Sequence, residues 1–266
     1  MAFDGIAWHA PWFSPFSDPG AVLAASNDWL AEANRFAGMR QLTNHRDLAV
    51  RFVPQSVLPD AVGYEAHISA TGQVPTRDNL HDFFNALAWL HFPRIKQALN
   101  ALHALSFDEP VKSGTRGRQR DAATLFDENA ALFISSDDAL LQALREHRWQ
   151  QVLFRQADAF ASDCDVMLFG HALLEKLVQP YKSLTAHVWT VRVDADWWLQ
   201  DQASRRADID RRVSVSIMRG FTSADFCHLP VLGVPGWWPG QDAAFYADTA
   251  VFRPGRVLRS PSADRP

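Results

Sequence analysis

Hydrophobic positions between residues 80 and 90 return with a helical period. Leu80, Phe83, Phe84, Leu87 and Leu90 fall in one arc at 3.6 residues per turn, with Asp78 or Asn79 ahead of them as a cap. The pattern predicts a helix that stops at Pro93, which has no N–H to continue the ladder. Its other side carries His81, Asn85 and Trp89 at four-residue intervals, with Asp82 beside them. Trp89 argues against a plain solvated face, because a large aromatic is normally buried on one side and its indole N–H then needs a partner. A capped amphipathic helix whose polar groups meet nearby backbone is the plainer alternative. A second helix follows, with Ile95, Leu99 and Leu102 on one side and Lys96 and Asn100 spaced to look back at the junction.

Elsewhere the pattern is mixed. Trp8, Trp12, Phe13 and Phe16 lie among Pro11, Pro15 and Pro19, which suits an extended arm laid on the body of the protein. Residues 21–36 read as a helix, and residues 48–53 and 64–68 as strands around a turn-rich PDAVG. AATLF and AALFI, separated by Asp127, Glu128 and Asn129, read as a hairpin. Residues 139–144 and 149–160 read as helix, and 162–165 as a polar break. In the helix after it, Met167, Leu173, Leu174, Leu177 and Val178 form the apolar arc. A strand at 187–193 and a helix over 194–212 follow, then an aromatic, proline-rich segment that caps the core or walls a pocket. Without strict strand–helix alternation, the fold class is α+β: one domain over residues 1–258 with mostly antiparallel short strands, and a frayed tail at 259–266.

Candidate chemistry concentrates in a few places. His81, Asp82, Asn85 and Asp121 are the candidate catalytic groups. His171 and Glu175 lie one turn apart, so they can share a metal, or the carboxylate can set the imidazole tautomer; Gly170 before them permits close backbone approach. Together with His81, Asp127 and Glu128 they form the candidate ligand set, and imidazole with carboxylate suits zinc, manganese or iron better than calcium. VKSGTRGRQRD gathers Lys112, Arg116, Arg118 and Arg120 around glycines, a basic loop able to grip phosphate or carboxylate. Candidate substrate contacts are Arg77, Trp89, Lys96, Arg118, Arg120 and Trp237. His67, on a strand before the His81 helix, superficially suggests a ββα-metal nuclease, although the ligand spacing is not reproduced.

PTRDNLHDFFNALAWLHFPRIKQALN resembles the signature of a bacterial family known as domain of unknown function 3025, with its PTR-x-N-x-HD-x-FNA-x-x-W-x-x-FP-x-x-K pattern. RGRQRDAATLFDENAALF, FGHALLEKLVQPYKSLTAH and PVLGVPGWWPGQDAAFYADTAVFRP extend the likeness over most of the chain. The resemblance implies a single conserved domain and brings no activity with it.

Composition then narrows the classes. A net charge of -4 over 266 residues argues against general affinity for nucleic acid or anionic membrane. No apolar run is long enough to span a bilayer, and the first residues lack a signal-peptide pattern. Cys164 and Cys227 lack metal spacing, and reduced thiols in a cytoplasmic protein are expected. Two functions remain: a metal-assisted hydrolase acting on a phosphate-bearing substrate, or a non-catalytic protein binding a small ligand in a polar and aromatic pocket with Trp89, Trp237 and Trp238. Convergence of His81 with His171 favours the first, and opposite faces would exclude it.

Overall fold

The aromatic N-terminal segment is folded onto the molecule in the computed structural model, which describes residues 3–105 and 114–255. It is not extended as expected; it passes through turns and a 3-10 turn into α1 (Ser17–Ala25). Its rings cover the apolar face of a later helix: Phe3 stacks on Phe83 at 4.2 Å, and Phe13 lies nearly parallel to Phe84 at 5.5 Å. The expected helix over 21–36 is two helices, because Asp28 accepts the Ala31 N–H and starts α2 (Trp29–Met39) afresh.

Strand β1 (Arg51–Pro54) pairs in parallel with β2 (Gln73–Thr76). Between them runs α3 (Tyr64–Thr71), where the sequence pattern predicts a strand. Gly72 (φ +72°) closes this helix in the left-handed conformation, and a Cβ there would stand 2.4 Å from the Ala49 carbonyl oxygen. His67 is therefore buried on a helix, and the ββα arrangement is absent. The expected helix is present as α4 (Leu80–His91), capped by Asn79, which accepts the Asp82 N–H at 2.8 Å. Every residue from Asp82 to His91 is buried, so the polar stripe beyond the half-buried His81 lies inside the protein. Helix α5 (Pro93–Leu105) leaves at the proline corner.

Helix α6 (Gly114–Asn129) replaces both the expected basic loop, from Gly114 on, and the first arm of the expected hairpin. It runs directly into β3 (Ala130–Ser135), buried along its whole length. Helix α7 (Asp138–Arg145) follows; the expected helix at 149–160 is broken into a π-helical turn (Gln150–Arg155) and α8 (Ala157–Asp163). Met167 lies on β4 (Cys164–Leu168), not on the next helix, α9 (His171–Lys176). Strand β5 (Thr185–Arg192) precedes a 3-10 turn holding Trp197 and Trp198, then α10 (Gln202–Met218), β6 (Cys227–Pro230) and α11 (Ala243–Ala247). The main sheet has the order β4-β3-β5-β6. Its β3–β5 pairing is parallel and its outer pairings are antiparallel. With parallel β1–β2, the pairings divide evenly where mostly antiparallel ones were expected. The class is α+β. Lys112 and the tail at 259–266 lie outside the described residues.

Candidate metal centre

Three helix ends meet at one point. The first turn of α4 brings His81, the last turn of α6 brings Asp127 and Glu128, and α9 brings His171 at its first residue and Glu175 one turn on. Gly170 makes the meeting possible. A Cβ at this position would lie 2.5 Å from the Ala130 nitrogen, 2.6 Å from the Asn129 nitrogen and 2.6 Å from the Glu128 oxygen, so only glycine lets α9 start against the α6–β3 junction. The Gly170 N–H donates to the Ala130 carbonyl at 2.9 Å and holds that approach. The carboxylates of Asp127 and Glu128 sit at the C-terminal, negative end of α6, a placement that costs energy unless cations compensate it.

His81 Nε2 and His171 Nε2 are 3.0 Å apart, and Glu128 Oε1 is 3.5 Å from His171 Nε2. One ligand atom from each of the three side chains falls within 4.8 Å of the others. The opposite ring nitrogens face carboxylates. His81 Nδ1 lies 3.1 Å from Glu175 Oε2, a contact made with N–H and not with a lone pair. His171 Nδ1 is buried without a hydrogen-bond partner among the described residues, 3.9 Å from Asp127 Oδ1, where a proton is again favoured over a lone pair. The two Nε2 atoms thus face each other at 3.0 Å, a separation that an N–H···N hydrogen bond or a shared cation accommodates. Ligands bound tetrahedrally at 2.0–2.1 Å are about 3.3 Å apart, close to the separations found here.

A buried network backs the histidines. Lys96 Nζ donates to Asp127 at 2.7 and 2.9 Å and to Asn85 Oδ1 at 2.8 Å, and it lies 5.6 Å from the Trp89 ring centre. Asn85 Nδ2 donates to the Tyr64 hydroxyl at 2.9 Å. Burial alone would raise the Asp127 carboxyl, but Lys96 and His171 hold it below its ordinary range. His171 likewise holds Glu128 low against the effect of burial. Both are ionised at neutral pH. Burial, with Glu65, Asp82 and Asp127 close by, pushes the Tyr64 phenol well up, so it keeps its proton. Asp82 is pinned by Arg77, through the backbone N–H at 2.6 Å and two guanidinium contacts of 3.0 Å.

The centre opens into a cavity of about 350 Å³, whose wall includes Tyr64, Glu65, Arg77, His81, Asp82, Asn85, His103, Thr124, Asp127, Glu128 and His171. Other expected site residues lie apart from it. Arg118, Arg120 and Asp121 are exposed on the early turns of α6, outside the wall; Asp121 precedes Glu128 by about 10 Å along the helix axis. Trp89 is buried beneath Lys96, and its indole N–H has no partner among the described residues. Trp237 lines a separate apolar cavity with Trp12, Pro15 and Phe16. Tyr64, Glu65 and His103 escaped the sequence reading. The first two were hidden by the strand expectation over 64–68, although Gly63 and Gly72 bracket a helix-length segment; His103 continues the Lys96–Asn100 face of α5 and was legible there.

These residues fall inside a sequence family. The family described as Protein of unknown function (DUF3025) matches residues 50–256, and the chain belongs to it. That span holds every member of the centre. No curated protein and no solved structure shows significant similarity to the chain.

Proposed function

We propose that the protein is a metal-dependent hydrolase whose single metal is held by His81, His171 and Glu128. The observation that carries this reading is the convergence of the two Nε2 atoms, 3.0 Å apart, with Glu128 Oε1, each ring having its other nitrogen turned toward a carboxylate. This is the carboxylate–histidine–metal pattern, in which outer carboxylates orient the ring and raise its basicity. Glu175 and Asp127, expected as ligands, take that outer role. Two histidines and one carboxylate leave coordination positions open toward the cavity for water and substrate, as catalytic centres require and closed structural centres do not.

In the hydrolysis the water oxygen forms the new bond to phosphorus as the bond to the leaving oxygen breaks. The water proton passes to a wall carboxylate, and the Tyr64 hydroxyl is a donor available to the leaving oxygen. Arg77 is the wall residue suited to the substrate anion, since its guanidinium keeps N–H groups beyond the two that Asp82 occupies. Phosphate esters are therefore the substrate class to screen first. The binding-protein alternative, with Trp89 and Trp237 on one recognition surface, has less support, because one is buried and the other lines a different cavity.

Elemental analysis of protein purified without a tag or chelator, beside the double variant His81→Ala, His171→Ala, tests the reading. Near-stoichiometric zinc, manganese or iron in the natural protein, lost in a variant with unchanged circular dichroism, is the expected result. Absence of metal from both, even after adding zinc or manganese, overturns it and leaves a proton shared between the two rings.

A further inference from the structure

The corner between α4 and α5 faces α10, and a second cavity of about 570 Å³ opens there. Its wall carries Arg40, Arg94, Arg206 and Arg211 against the carboxylates of Asp208 and Asp210, an excess of positive charge in a chain of net charge -4. Local pairing uses up part of this set. Arg211 is bound to Asp208 at 2.6 Å, and Arg40 donates to the Leu90 carbonyl at the end of α4. Asp210, almost fully buried, has both oxygens engaged by the N–H groups of Arg94 and Ile95 at 3.0 and 2.9 Å. The Arg206 and Arg94 side chains make no hydrogen bond to any described residue, although Arg206 is half-buried.

His91 supplies the second observation. It borders this cavity, is 4% exposed, and neither of its ring nitrogens has a partner among the described residues. A buried imidazole without partners loses hydration at both nitrogens and recovers nothing inside the protein. Burial first, then Arg206 and Arg40, keep the ring uncharged, so it offers one N–H and one lone pair. Burial and then Arg40 oppose the charge on Arg206, and Asp18 and Asp210 offset part of that cost. Guanidinium groups crowded together on one cavity wall form the complement of an anion.

We propose that this corner is a binding site for a small phosphate-bearing anion, held by Arg206 and Arg94 beside the buried His91 ring. It is separate from the metal centre, since His91 follows His81 by about 15 Å along the α4 axis. The proposal stands whether or not the hydrolase reading does.

Calorimetric titration of the metal-free full chain with inorganic phosphate and with pyrophosphate tests it. Saturable binding is expected, weakened at least about tenfold in Arg206→Gln by loss of a charge-assisted contact. Arg94→Gln weakens it similarly, and His81→Ala, His171→Ala leaves it unchanged. Because neither arginine side chain is hydrogen-bonded within the protein, both single variants should melt like the natural chain. No saturable binding of either anion, natural affinity retained in both arginine variants, or loss of binding in the double histidine variant would each overturn the assignment.

Discussion

Replacing Gly170 by alanine pushes a methyl group into backbone that has no rotamer to yield. Its three nearest atoms, at 2.5, 2.6 and 2.6 Å, belong to Ala130, Asn129 and Glu128, whereas relaxed carbon contacts lie at about 3.5–4.0 Å. Relief on the order of 1 Å is needed, and α9, only six residues long, is the element free to withdraw. Overpacking costs about 1–3 kcal/mol. Weakening the Gly170 to Ala130 hydrogen bond adds about 0.5–1.5 kcal/mol. A total of roughly 2–4 kcal/mol lowers Tm by about 4–15 °C in a chain of this size. Because His171 is the next residue, the same withdrawal opens its separations from His81 and Glu128, and metal affinity should fall at least about tenfold. Gly38 in α2 is the control: a Cβ there meets nothing within 4 Å, so Gly38→Ala should gain about 0.5–1 kcal/mol from helix propensity alone. Scanning calorimetry and metal titration read the two effects. If Gly170→Ala melts at or above the natural temperature, close approach is not what seats α9. If it melts lower but binds metal as before, His171 does not depend on that seat.

Further tests follow from the same geometry. Lys96→Met should destabilise by about 3–5 kcal/mol at neutral pH, since it strands the Asp127 carboxylate inside. In the natural protein the lowered Asp127 value contributes stability that is present above the unfolded carboxylate range and lost as pH falls through the folded value; without Lys96 that sign reverses, so urea midpoints of the variant should recover between pH 7 and pH 5. Glu175→Gln should reduce metal affinity by about 10–100-fold without abolishing it, as an orienting group does, and complete loss of metal would make Glu175 a ligand instead. Burial pushes the thiols of Cys164 and Cys227 up to about 12 and about 11, so neither should react with a thiol reagent until the chain unfolds. Burial raises Asp210 to about 6, so its contribution is full below the unfolded carboxylate value and is lost as pH rises to about 6; Asp210→Asn should flatten the stability profile across that window.

Local rules carried the sequence a considerable way. The 3.6-residue recurrence of Leu80, Phe83, Phe84, Leu87 and Leu90, the Asn79 cap and Pro93 are properties of neighbouring residues, and they set α4 and the α4–α5 corner without outside help. The placement of His171 and Glu175 one turn apart on one helix, after a glycine that permits close approach, was legible for the same reason, although Glu175 meets His81 and not His171. What was misread turned on competition between local preferences. Residues 64–68 alternate well enough to pass for a strand, and packing on α5 with a left-handed Gly72 decides for helix. Asp127, Glu128 and Asn129 are good turn residues, yet the apolar run after them is needed at the centre of the main sheet, so α6 passes straight into β3. The division of labour within the centre belongs to tertiary structure alone. His81 and His171 are 90 residues apart, and no spacing rule brings their Nε2 atoms to 3.0 Å. Nor could sequence show that Lys96 would pair with Asp127 while Glu128 approaches His171 Nε2, because that choice depends on which long-range partner each charge meets once water is excluded.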